Sequence, residues 1–118
     1  MQIRSAETAG FCFGVERAVS LAEQTAKSCA SAVTLGPIIH NRHVVERFEA
    51  IGLREIASAE DAQPGQTVVI RAHGIPVSEQ QTLAARGAKL VDATCPFVKK
   101  IHVIARQAEE AGRHLLII

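Results

Sequence analysis

The stretch Pro64-Gly65-Gln66-Thr67-Val68-Val69-Ile70-Arg71-Ala72-His73-Gly74-Ile75-Pro76 contains one complete strand-to-helix transition. Pro64-Gly65 is turn punctuation. Thr67-Val68-Val69-Ile70 is an unbroken β-branched run of strand length, and such a run between turn signals reads as a buried strand. Gly74 permits a close backbone approach, and Pro76 suits the first turn of a helix. Working outward, the same alternation recurs. Strands are predicted at Gln2 to Ala6, Ala32 to Leu35, Leu53 to Ile56, Thr67 to Ile70, Lys89 to Val91 and His114 to Ile118. Helices are predicted at Gly14 to Ala30, Asn41 to Ile51, Pro76 to Arg86 and Pro96 to Ala111. Alternating strands and helices of this kind give an α/β fold, a mostly parallel sheet with flanking helices.

Composition narrows the function classes. The chain has 118 residues, 47% hydrophobic and 21% charged, which is ordinary for a soluble domain. Its net charge is +1 and its only aromatics are four Phe, so neither a basic footprint nor a base-stacking platform points to nucleic acid. No apolar run reaches the ~20 residues that span a bilayer, and the N-terminus lacks a secretory signal, so no membrane partner and a cytoplasmic location are expected. The cysteines number three, widely spaced and without a Cys-x-x-Cys pair. That pattern disfavours a disulfide framework and leaves metal ligation open.

Two cysteines have unusual frames: Ala9-Gly10-Phe11-Cys12-Phe13-Gly14-Val15 and Val91-Asp92-Ala93-Thr94-Cys95-Pro96-Phe97. Each opens a predicted helix, where free N–H groups favour negative charge. Two histidines lie in similar turns, His40 in Leu35-Gly36-Pro37-Ile38-Ile39-His40-Asn41 and His73 in the opening stretch. A lone loop histidine is usually structural or solvated. Two cysteines and two histidines, all in Gly- or Pro-marked turns at the sheet edge where α/β folds bind ligands, are better explained as a site.

Other candidates take structural readings. Cys29 falls on the first helix's apolar stripe with Val15, Ala18, Val19, Ala22 and Ala26, and reads as core. His43, His102 and His114 read as helix or strand positions without a role. Arg71 reads as a strand-end charge, and Glu46-Arg47 and Glu109-Glu110 as solvated faces. Lys99-Lys100 near a helix start is electrostatically unfavourable and hints at an anion. From these residues two classes fit. Cys12, Cys95, His40 and His73 can form a tetrahedral zinc set in a non-catalytic α/β module. Alternatively, Cys12 and Cys95 ligate an iron–sulfur cluster, with the histidines facing an anionic substrate.

Four segments decide between them by resemblance: Gly10-Phe11-Cys12-Phe13-Gly14-Val15-Glu16-Arg17-Ala18-Val19, Ile39-His40-Asn41-Arg42-His43-Val44-Val45, Arg71-Ala72-His73-Gly74-Ile75 and Val91-Asp92-Ala93-Thr94-Cys95-Pro96-Phe97-Val98. In order and spacing they resemble the IspH/LytB family of 4-hydroxy-3-methylbut-2-enyl diphosphate reductases. The resemblance implies an iron–sulfur oxidoreductase of isoprenoid biosynthesis by the methylerythritol phosphate route. It implies a 4Fe–4S cluster held by Cys12 and Cys95 with a third cysteine not found in this chain, and His40 and His73 hydrogen-bonded to an allylic diphosphate substrate. It further implies a ferredoxin or flavodoxin type electron donor and a proton-relay glutamate beyond residue 118. Residues 1–95 then correspond to the first of three similar α/β domains and 96–118 to the opening helix and strand of the second. The apolar run His114-Leu115-Leu116-Ile117-Ile118 fits that expectation of an incomplete chain, because a buried parallel strand needs neighbours.

Overall fold

In the computed structural model, which describes residues 1–116 and 118, the run Thr67–Ile70 is a strand buried at every position. Along the chain the elements are α1 (Phe13–Ser28), β1 (Ala32–Leu35), α2 (Arg42–Ala50), β2 (Arg54–Ile56), a 3-10 turn (Ala59–Asp61), β3 (Thr67–Ile70), α3 (Val77–Ala85), β4 (Lys89–Asp92) and α4 (Pro96–Glu110). The strands form one parallel four-stranded sheet in the order β2-β1-β3-β4.

Successive strand residues point to opposite faces, and here both faces are apolar. Ala32 and Val69 join Ala18, Val19 and Ala22 of α1 and Val44 and Phe48 of α2 in one core. Val33, Leu35, Val68 and Ile70 join Leu83 of α3, Ala59 and Ala62 in the other. The central strands are therefore buried at every position because helices cover both sides, the arrangement typical of parallel sheets.

The structure corrects several boundaries. Gln2 to Ala6 is not a strand: the segment is exposed, and between Gln2 and Arg4 only Ile3 offers apolar bulk, itself 82% exposed. The predicted strand His114 to Ile118 is likewise absent at His114–Leu116 and at Ile118, while Ile117 lies outside the described residues. A parallel strand requires a neighbour, and edge strand β4 pairs with β3 alone. Leu53 stays out of β2 because its N–H donates to the Phe48 carbonyl at 3.0 Å, closing α2. Pro76 caps α3 from outside, in extended geometry. Helix α1 stops at Ser28, and Cys29 follows as an extended cap packed against the core, as its apolar spacing predicts.

Candidate functional site at the carboxyl edge of the sheet

Strands β1 and β3 are neighbours, yet the chain leaves them toward opposite faces. After β1 it passes to α2 on one side, and after β3 to α3 on the other. Such a divergence opens a crevice beyond the strand ends, the usual ligand position in open α/β sheets. His40 and His73 stand on its two lips with rings stacked, centroids 6.2 Å apart and planes at 19°. Just past His40, Asn41 caps α2 by accepting the Val44 N–H at 3.3 Å. On the other lip Arg71 Nε donates to the Gly74 carbonyl at 3.2 Å, and its guanidinium lies 4.0 Å from Glu79. Arg71 therefore braces the His73 turn, in keeping with the structural role read from sequence.

The loops are joined by main-chain bonds that continue the sheet beyond its strands. Ala93 N–H donates to Ile70 C=O at 3.2 Å, Cys95 N–H to Ala72 C=O at 2.7 Å, and Ala72 N–H to Ile38 C=O at 3.4 Å. Asp92 shapes the Cys95 turn: Oδ1 accepts the Thr94 N–H at 2.9 Å while Oδ2 pairs with Lys99. Burial alone would raise the Asp92 carboxyl, but hydrogen bonds from Lys99 and Thr94 outweigh it and hold the group below the usual carboxylate range. Lys99 thus has an internal partner, which removes the hint of an external anion at that position. From α1, Arg17 Nη1 reaches the Thr94 carbonyl at 3.3 Å.

Cys12 and Cys95 are the N-cap residues of α1 and α4, and neither thiol caps its own helix. Gly14 brings the two helix starts together. A Cβ built on it would lie 2.5 Å from Cys95 Sγ and 2.9 Å from Cys95 Cβ, so no larger residue fits there unless Cys95 moves. All four residues singled out by their turns line one cavity of about 340 Å³. The others lining it are Gly14, Val15, Ile38, Ile39, Ala72 and Val98. Cys29 is not among them. Partial burial, the Arg71 charge and His40 together lower the His73 pKa from 6.5, so that ring is neutral at neutral pH.

This donor set can be tested against the two metal readings. Among the described residues no three Cys, His, Asp or Glu side chains converge closely enough to hold a metal ion by themselves, so a ready-made Cys/Cys/His/His zinc set is not formed. Two thiols on an apolar wall, each at a helix start, do suit part of the ligand shell of an iron–sulfur cluster. Sequence reasoning missed three supporting residues. Asp92 carried a readable signal, since Asp two residues before Thr94 is the spacing of an Asx-turn. Gly14 and Arg17 carried none, because their partners lie far along the chain. His102, read from sequence as an ordinary helical residue, packs against the His73 turn: its Cε1 is 2.9 Å from where a Gly74 Cβ would stand. His43 and His114 are exposed and away from the cavity.

The family model described as LytB protein matches residues 3–118. The chain belongs to the LytB family. Among LytB relatives, the 4-hydroxy-3-methylbut-2-enyl diphosphate reductase of Oleidesulfovibrio alaskensis is 49% identical over 99% of this chain and 42% of its own length. The reductase of the same name from Aquifex aeolicus is 45% identical over 96% of this chain and 39% of its own. A solved structure of (E)-4-hydroxy-3-methyl-but-2-enyl diphosphate reductase, described as the terminal enzyme of the non-mevalonate pathway, superposes with TM-score 0.77 at 47% identity, covering 91% of this chain and 38% of the other. The E-1-hydroxy-2-methyl-but-2-enyl-4-diphosphate reductase of Plasmodium falciparum gives TM-score 0.82 at 30% identity, over 89% and 33%. The chain thus spans about two fifths of the length of the curated LytB relatives it matches. Among the described residues no helix is long and apolar enough to cross a membrane.

Proposed function

We propose that this chain forms the cluster- and diphosphate-facing part of a 4-hydroxy-3-methylbut-2-enyl diphosphate reductase. The observation that carries the reading is the shared cavity of Cys12, Cys95, His40 and His73 at the sheet's divergence point. In the reaction the allylic C–O bond breaks, two electrons and two protons are taken up, and water leaves, giving isopentenyl or dimethylallyl diphosphate. A 4Fe–4S cluster, when bound, supplies the electrons, received from a ferredoxin or flavodoxin type donor. Cys12 and Cys95 provide two of its thiolate ligands, and the apolar residues Val15, Ile38 and Val98 keep that wall dry. His40 and His73 donate N–H bonds to the diphosphate oxygens, orienting the chain of the substrate toward the thiols. On the same proposal the chain divides at Cys95: residues 1–95 make the first of three α/β units and 96–118 open the next. The support for this division is that α4 buries only Ala108 while Phe97, Ile101 and Ile104 stay exposed.

Anaerobic reconstitution with iron and sulfide, followed by visible absorption and electron paramagnetic resonance, tests the ligand assignment. Cys12→Ser and Cys95→Ser are each expected to abolish the iron–sulfur absorption, and Cys29→Ser to leave it. Calorimetry with the allylic diphosphate tests the histidines, with His40→Asn and His73→Asn each weakening binding about tenfold. Absorption that survives both serine substitutions would overturn the reading.

A further inference from the structure

His73 borders a second, larger concavity of about 850 Å³, between the start of α3 and the length of α4. Its charge is one-sided. Arg71, Arg106 and Arg113 line it against the single carboxylate of Glu109, with His102 and Gln80 as further polar groups. Arg71 is committed to Gly74 and Glu79. Arg106 and Arg113, in contrast, have no ion pair and donate no side-chain hydrogen bond among the described residues, and both are exposed. Gly112, at φ +63°, ends α4. The bond from Arg113 N–H to the Ala108 carbonyl at 2.9 Å then folds Arg113 back beside the helix.

Unpaired guanidiniums on an open, flat surface are ordinary solvated charges. Gathered on the wall of a concavity of small-ligand size, they form a site for an anion with several oxygens, because each planar fork matches a phosphate bidentately. We propose that this groove is a second oxyanion site, distinct from the Cys12/Cys95 cavity, which takes a diphosphate-bearing small molecule through Arg106 and Arg113. The two sites meet at His73, which lines both, so an anion in the groove is expected to favour the protonated form of that ring. The inference rests on the groove alone and does not require the reductase reading.

The test is a titration of the full chain with inorganic diphosphate, followed residue by residue by amide NMR at constant ionic strength. Two separable sets of shifts are expected, one about Gln80, Arg106 and Arg113 and one about His40. The double substitution Arg106→Gln with Arg113→Gln should weaken the first about tenfold or more and leave the second. His40→Asn should do the reverse, so that failure of one site is distinguished from failure of the other. Both arginines are exposed, which spares the fold, and Arg106→Glu provides a charge-reversed control. The proposal is overturned by shifts confined to the His40 region, by a groove response unchanged in the double variant, or by an equal response to chloride. It is also overturned if the groove responds to a polyglutamate peptide and not to diphosphate, which would make it a protein-docking surface.

Discussion

A methyl group at position 14 would be placed 2.5 Å from the Cys95 sulfur. Alanine gains about 1 kcal/mol of helix propensity over glycine, whereas overpacking a fixed site costs about 1–3 kcal/mol. Cys95 is held by its own N–H bond to Ala72, so the clash prevails over propensity. Gly14→Ala is expected to lower stability by about 1 kcal/mol and to change the rate at which Cys95 reacts with a thiol reagent. An unchanged melt and labelling rate would show that α1 slides freely. His73 supplies a second prediction. Its pKa is lowered in the folded chain, so below pH 6.5 the unfolded state binds the extra proton first. The stabilising contribution is complete above about pH 6.5 and is lost as pH falls toward the folded value. His73→Gln should flatten that part of the stability profile, and bound diphosphate, which favours the protonated ring, should shift it upward. At this scale the four candidate residues were legible because each lies within three positions of a glycine or proline at a turn. Arg17 was not, since its partner Thr94 is 77 positions away.

Strand β3 and helix α3 show what patterning predicts well. A run that is β-branched at every position and bounded by turn signals reads as a strand covered on both faces, and Leu83 is the fully buried residue through which α3 covers one of them. Leu83→Ala is expected to cost about 2–5 kcal/mol, read as a lower urea midpoint at unchanged slope. Element ends were harder to read. Leu53 has strand-like bulk, but its N–H is spent on Phe48, and Asp92 looks like a turn residue yet aligns with Ile70 at the end of β4. Both depend on hydrogen bonds that residue type does not report. The apolar run at His114 failed for a related reason: hydrophobicity predicts burial, but a strand also needs a neighbour, whereas Gln2 to Ala6 lacked the apolar bulk itself.

Across the whole molecule the dimensions are 57 × 38 × 20 Å and the radius of gyration is 16.6 Å, against about 13.5 Å for a compact chain of this length. Helix α4 fits that elongation, since it keeps Phe97, Ile101, Val103 and Ile104 exposed and buries Ala108. Native-state hydrogen exchange should therefore divide the molecule: α4 amides are expected to exchange well before those of β1 and β3. The amides of Ala72, Ala93 and Cys95, though in loops, should exchange with the sheet. Equal protection of α4 and β3 would show that α4 packs more tightly than its exposure indicates.

Ala72 spends its N–H on Ile38 and its C=O on Cys95, so the seam joining three loops runs main chain to main chain, with Arg17, Arg71 and Asp92 bracing its turns. The side chains of Cys12, Cys95, His40 and His73 make none of these bonds. The thiol and imidazole groups around the crevice can therefore be exchanged for others while the frame that spaces them persists, which makes this edge a mount whose chemistry is replaceable.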